Sequence, residues 1–558
     1  MTDFDVIVIG SGFGGAITGC RLAEAGYRVL ILERGRRWSF DERHANHFPR
    51  QIDDIERWVW NHENPAKCHG WIDLRVFPNM FVVQGAGVGG GSLIYANISV
   101  EAPAHAFEDR PGLAPWPRAI RKLELQKYYD AVAKEMKVRE VPEGQWSTRT
   151  HLMKEAAAAI GQASRFRTIP LAVNFDDALT FDPASDPRPR RDLGTIRPNA
   201  YGVPQGTCYH CGTCDIGCDV NARNTLDTNY LPRAEWNGAE IRDLHIVSHI
   251  EPTSTGYRVF FRRTDDPSQP VRSLSARLVI VAAGSLGSTE LLLRCRDETR
   301  TLRPLSPRLG HNWSSNGDFL TPALYPHRNP RPSPSDGPPI TAVIDFLDRS
   351  QAGQSFWIQD GGFPDLLAQY VRAAGTLRHA VRSWLMLGAI QMAMANGMGA
   401  NGSATGGVAR RAGAVSRIMP WFAQAVDAGN GTLSLKRRWW LIGRRRLHLD
   451  WNVEKSKPAI DAVVAMHRRL AEATGGTPLV PPGWSVLRDL ITPHPLGGCA
   501  MAESPTDGVV NDEGEVFGHR NLFVADAAIF PRAIGVNPSR TIGALAERIA
   551  AKIVAAGR

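Results

Sequence analysis

A chain of 558 residues exceeds what one ordinary core can organise, so two domains or one large interleaved pair are expected. With 43% hydrophobic and 22% charged residues it has the make-up of a soluble globular protein. Its +9 charge is spread along the chain without any nucleic-acid motif, which leaves no case for a DNA or RNA partner.

The apolar run 6–9 leads into Gly10-Ser11-Gly12-Phe13-Gly14-Gly15, and an amphipathic segment follows over 16–25. Glycines so placed let the chain turn off a strand, admit a pyrophosphate against bare backbone and pack a helix closely on that strand. A second strand, 28–32, ends in Glu33, at the offset where a carboxylate accepts bonds from a ribose hydroxyl. Gly10, Gly12, Gly14, Gly15 and Glu33 therefore predict a dinucleotide site. FAD fits better than NAD, because the motif begins close to Met1 and a second glycine run follows at Gly85. The chain enters its first strand directly after Asp3, with no charged and apolar leader, so a cytoplasmic location is expected.

Residues 36–80 are irregular and Trp-rich, with no decisive signal. Gln84-Gly85-Ala86-Gly87-Val88-Gly89-Gly90-Gly91-Ser92 then permits close backbone approach and runs on to Asn97, so Gly85, Gly90, Ser92 and Asn97 join the cofactor set. Residues 118–162 read as helical, and 183–198 as a Pro- and Arg-rich linker.

Cys208, Cys211, Cys214 and Cys218 repeat the spacing of a bacterial ferredoxin run, with Asp219 where proline usually follows. Thiolates this close suit a soft metal centre; zinc, reduced thiols and a disulfide remain alternatives. Cys20, Cys68, Cys295 and Cys499 are scattered and read as buried thiols.

Residues 240–263 suggest strands and hairpins, and Ile250 within them is assigned to the cofactor. The continuous apolar strand 278–281 runs through Gly284 into a helix over 289–293, a return to the nucleotide-binding sheet. Residues 326–339 are too Pro-rich for a core element and read as a surface excursion. The longest apolar stretch, 384–394, is broken by Gln391 and is too short to span a membrane; it reads as a buried helix or as the wall of a greasy substrate entrance. Basic clusters at 436–438 and 444–446 flank Trp439, Trp440 and Leu441. They read as a solvated hairpin, ahead of contact with an anionic membrane surface, and alternating Leu447, Leu449 and Trp451 favour a strand. Near the end, the strand 521–526 finishes in Asp526, and Gly535-Val536-Asn537-Pro538 leads into a helix over 541–554. Asp526 then holds a ribityl or ribose hydroxyl, or simply caps a helix.

Together with His494-Pro495-Leu496-Gly497-Gly498-Cys499, these motifs resemble the glucose-methanol-choline (GMC) oxidoreductases, and within them the cholesterol oxidase-like branch. The resemblance spans the chain. It implies an α/β fold, with a discontinuous FAD-binding Rossmann-like domain (1–45, 80–110, 205–320 and 485–558) interleaved with an α+β substrate-binding domain and excursions (46–79, 111–204 and 321–484). It further implies non-covalent FAD, contacted also by Pro538, and oxidation of an alcohol, with His494 as base and Asn537 holding the substrate oxygen or the flavin. One departure stands out: where cholesterol oxidases carry a glutamate before a proline, alignment on Pro364 puts Gln359, with Asp360 next to it. An amide cannot take the proton, so either Asp360 or His494 takes it, or the substrate is not a steroid.

The expected substrate is a hydrophobic alcohol, a sterol among the candidates. A similar cysteine quartet in other GMC-like proteins suits an iron-sulfur cluster passing electrons to an acceptor protein or quinone, which would make the enzyme a dehydrogenase. The rival readings are a flavin-containing electron carrier and a membrane-peripheral protein acting through the Trp439 hairpin.

Overall fold

The computed structural model describes residues 2–49, 55–180, 194–364, 416–437, 445–481, 484 and 488–558. The apolar stretch 384–394 and the segment with Trp439, Trp440 and Leu441, expected as a hairpin, lie outside these residues. Among the described residues, no helix is long and apolar enough to cross a membrane.

The first strand, Phe4–Ile9, lies between two parallel neighbours, Val29–Leu32 and Arg272–Val281. Glu240–Arg242 extends the sheet beyond Val29–Leu32, and Leu522–Val524 pairs with the C-terminal half of Arg272–Val281. Runs such as Val6-Ile7-Val8-Ile9 are wholly apolar because this central strand is buried, with parallel neighbours on both edges. The helix Phe13–Glu24 packs against Ser539–Ala555, which in turn packs against Lys122–Glu135. The strand at 278–281 does return to the nucleotide-binding sheet, and the helix that follows it, Gly284–Asp297, is longer than the sequence suggested.

A second, antiparallel sheet has the order Thr477–Pro478, Phe319–Leu324, Ile418–Ala425, Gln354–Asp360, Ala342–Gln351, Phe166–Thr168. The Pro-rich segment 326–339 is irregular but not merely superficial. Arg149, fully buried, donates to the carbonyls of Ser333, Asp336 and Pro338 and clasps the segment inward. Leu447 and Leu449 lie on the strand Arg445–Asp450, which forms a hairpin with Thr432–Arg437.

The Trp-rich stretch that carried no signal builds a third, small sheet. Its strands are Val59–Trp60, Ile72–Phe77, Met80–Gly85 and Leu490–Thr492, packed beside Trp38, Phe48, Trp58 and Trp71. Met80–Gly85 runs into the second glycine loop, and its parallel neighbour Leu490–Thr492 runs toward His494.

Close packing explains the glycines of the first turn. A Cβ on Gly14 would sit 1.8 Å from the Ala525 carbonyl oxygen, whereas one on Gly144 would meet nothing within 4 Å. Gly14→Ala should therefore lower unfolding stability by about 1–3 kcal/mol, the usual cost of overpacking, and Gly144→Ala should leave it within about 0.5 kcal/mol. Urea unfolding of the two variants checks this; equal midpoints would contradict the packing argument.

Candidate active site

A cavity of about 760 Å³ runs from the two glycine loops to an aromatic end. Gly10, Gly12, Gly14, Gly85, Gly90 and Gly284 all line it. The two loops touch there: a Cβ on Gly90 would lie 2.6 Å from the Gly12 Cα. Glu33 also lines the cavity, and its carboxylate braces the first loop by accepting from the Ser11 amide (3.0 Å), the Ser11 hydroxyl (2.7 Å) and the Gly35 amide (3.0 Å). Asp526 accepts from the amides of Gly284 and Ala528, both at 2.8 Å, so it caps the short helix Ala527–Ile529 while facing the cavity. Burial pushes its carboxyl above the usual range. Pro538 and Asn537 line the cavity where the helix Ser539–Ala555 begins.

Four assigned residues stand behind this wall. Gly15 packs the helix on its strand, since a Cβ there would lie 1.9 Å from the Gly10 carbonyl oxygen. Ser92 donates to Gly89 O at 2.8 Å and accepts from the Leu226 amide at 3.1 Å, and so fixes the second loop. Asn97 is buried between the cavity-lining Ala96 and Ile98, and neither end of its amide has a partner among the described residues. Ile250 is misassigned. The strand His245–Thr253 meets the cavity through His245, Ile246 and Val247, while Ile250, about 10 Å further along, is buried with its amide on Cys295 Sγ.

An ion network missed in the sequence completes this end. Arg34 and Arg75 hold the buried Asp73 (2.8 and 3.1 Å), and Arg75 and Arg294 hold Glu290 (3.6 and 2.6 Å). Burial keeps the adjacent His62 neutral by lowering its pKa to about 4. Arg294 also holds Glu298 at 2.7 Å, so three guanidiniums meet three carboxylates and the network is charge-balanced. Bare glycine backbone, carboxylates near the first loop, two helix N-termini and an unpaired amide together fit a dinucleotide.

At the other end, His494 and Asn537 meet. His494 Nδ1 lies 2.9 and 3.0 Å from the two oxygens of Asp318, and its Nε2 lies 3.3 Å from Asn537 Nδ2. The carboxylate fixes the tautomer with hydrogen on Nδ1, leaving Nε2 as the acceptor. Burial raises the Asp318 carboxyl, and the imidazole pulls it back down. The chain of amides continues: Gln359 Nε2 donates to Asn537 Oδ1 (2.6 Å) and to Gln424 Oε1 (3.0 Å), which also accepts from Trp357 Nε1 (2.6 Å). The amide nitrogen of Gln424 approaches His494 Nδ1 at 3.2 Å. Asp360 points the other way, accepting from the amides of Thr341 and Ala342. Phe319, Leu320, Ile340, Phe363, Phe422 and Trp484 make the wall around this polar tip apolar.

Asp318 and Gln424 were not read from the sequence. For Gln424 the available signal was a lone amide inside the otherwise apolar strand Ile418–Ala425. Asp318 carries none, standing 176 residues from its partner. The four cysteines 208–218 lie on one loop around a separate small cavity, and Asp215 and Ile216 between them reach the wall of the large one.

Comparison with known proteins agrees with this geometry. The pattern of the GMC oxidoreductases matches residues 199–313 and 432–546, and an NAD(P)-binding Rossmann-like pattern matches 8–66. A cholesterol oxidase from Acinetobacter baumannii is 29% identical, over 98% of this chain and 93% of its own. One from Mycobacterium tuberculosis is 28% identical, over 98% and 90%. The chain belongs to the GMC oxidoreductase family. Within the family it falls in the cholesterol oxidase-like branch, and it is an FAD-dependent enzyme acting on CH–OH donors. A long-chain-alcohol oxidase from Arabidopsis thaliana is 23% identical over 99% of this chain and 67% of its own. The fold is shared with pyridoxine 4-oxidase from Mesorbium loti (TM-score 0.60, 16% identity, 98% of each chain) and with a fungal aryl-alcohol oxidase (TM-score 0.57, 17% identity, 100% of each chain).

Asp318→Asn removes the charge behind the imidazole but keeps a hydrogen-bonding group. Flavin should stay bound while turnover falls by about a hundredfold or more. Turnover near the unsubstituted level with flavin bound would deny Asp318 this positioning role.

Proposed function

We propose that this GMC oxidoreductase oxidises a hydrophobic alcohol to the ketone or aldehyde, with His494 as the base. The observation that carries the reading is the His494 Nε2 acceptor, backed by buried Asp318, at the aromatic-walled end of the cavity. Bound FAD, held by the glycine loops with Glu33, Asp526, Asn537 and Pro538, supplies the acceptor for the hydride. The chain's own residues deal with the proton. His494 Nε2 takes it from the substrate hydroxyl, Asp318 compensates the imidazolium, and the Asn537 amide, oriented by Gln359, donates to the same oxygen. The amide at 359 leaves this task to the imidazole, and Asp360, spent on the Thr341–Ala342 backbone, is out of reach. A bulky apolar alcohol, sterol or long-chain, suits Phe319, Phe422 and Trp484 better than a sugar does.

A second reading concerns the electron acceptor. The cysteine loop reaches the cofactor cavity through Asp215 and Ile216, which favours a dehydrogenase passing electrons to a protein or quinone over a simple oxidase.

Two measurements test the proposal. His494→Ala should keep its flavin spectrum but lose at least about a hundredfold in anaerobic flavin bleaching by alcohol; normal bleaching would refute the base assignment. Along a series of straight-chain alcohols, kcat/KM should rise about fourfold per methylene until the cavity is full, from roughly 0.8 kcal/mol per buried CH₂. A flat series would refute the apolar substrate class.

A further inference from the structure

We infer that Cys208, Cys211, Cys214 and Cys218 together hold one iron-sulfur cluster, at a site separate from the alcohol chemistry. All four thiols line a single small cavity, with Arg223 on its wall. The ferredoxin spacing by itself does not require this, because in two-cluster ferredoxins the fourth cysteine serves another centre. Here the chain folds back so that Cys218 joins the other three.

The void itself, about 10 Å³, would admit one water-sized sphere, and a single ion would fit that. The sulfur positions favour a larger centre. Tetrahedral zinc, with bonds of roughly 2.3 Å, draws all four sulfurs to about 3.8 Å from one another. Among the described residues, the set of metal-ligand atoms mutually within 4.8 Å here is Cys211, Cys218 and the Asp219 carboxylate; neither Cys208 nor Cys214 joins it. Cys211 and Cys218 lie close together and Cys208 and Cys214 stand outside that set, so the four thiols surround one void without converging on a single tetrahedral point, and bridging iron and sulfide would link them.

The surroundings supply what an anionic cluster needs. The Ala222 amide donates to Cys218 Sγ at 3.3 Å, and the His210 amide to Cys208 Sγ at 3.4 Å. Arg223 is buried; one of its terminal nitrogens bonds the carbonyls of Ser92 and Leu93, while its Nε has no partner among the described residues. No carboxylate among the described residues forms an ion pair with that guanidinium, so a negatively charged cluster would add its compensation to the field of Asp215 and Asp227.

The full-length protein, purified without air, should carry about four iron and four acid-labile sulfide per chain, and give an EPR signal after dithionite reduction. Cys211→Ser and Cys218→Ser should lose most of the iron, while Cys68→Ser, at a half-buried cysteine elsewhere, should keep it. Flavin retained in the depleted variants would show that they still fold. One zinc per chain without sulfide, or an iron-free protein with all four thiols titratable, would overturn the inference. So would full iron in either cluster variant. Because the readout is metal and sulfide content, it is independent of whether the alcohol assignment holds.

Discussion

The loop 313–318 is the contact on which the active site depends. Asp318 faces the imidazole of His494, and the Thr492 hydroxyl lies 2.6 Å from the same carboxylate. Two residues back, Asn316 reaches the other catalytic segment: its oxygen accepts from the amides of Ile534 and Gly535, and its nitrogen donates to Val536 O, immediately before Asn537. Ser314 exchanges two backbone bonds with Leu496, and Ser314 and Ser315 together satisfy the buried Asp427. A six-residue loop thus clamps His494 and Asn537 to the start of the second sheet. A buried carboxylate costs several kcal/mol unless its oxygens are fully engaged, so the hydroxyls and amides around Asp318 and Asp427 are a condition for having an anion there at all.

The amides downstream set the direction of every donor. Gln424 Oε1 accepts from Trp357 and Gln359, so the Gln359 nitrogen points to Asn537 Oδ1 and the Asn537 nitrogen to His494 Nε2. No member can flip without stranding a buried partner. Nε2 is therefore met by a donor before substrate arrives, and an alcohol oxygen seated beside both atoms would donate to the ring and accept from the amide. Strand alternation places Gln359 in this chain and turns Asp360 to the opposite face of the sheet.

The cofactor end was legible in the sequence because its determinants are local. Strand, turn and helix around Gly10–Gly15 follow one another directly, and the same holds for Gly284 after its strand. Motifs also gave His494 and Asn537, although nothing in the spacing said that they meet. What the sequence did not disclose is long-range pairing. Asp318 finds His494 across 176 residues, and Gln359 finds Asn537 across 178. Ile250 failed for the complementary reason: a strand alternates its faces and leaves the site after a few residues, so choosing the right strand does not choose the right residue. The Trp-rich stretch gave no periodic signal because its residues pack on each other, around Trp71, beside a small sheet instead of along one amphipathic face.

That small sheet explains how cofactor and base keep their distance. Met80–Gly85 delivers the second glycine loop and Leu490–Thr492 delivers His494, and the two strands pair directly, Met80 with Leu490 and Val82 with Thr492. The separation between the two halves of the chemistry is therefore fixed by one parallel strand pair and does not accumulate the flexibility of either large sheet. A slip of one residue would reverse the faces of Leu490, Ile491 and Thr492, pulling the Thr492 hydroxyl off Asp318 and the His494 amide off Thr492 together. The register of three residues thus controls the geometry of a site assembled from segments hundreds of residues apart, and it is held by the aromatic packing that the sequence left unread.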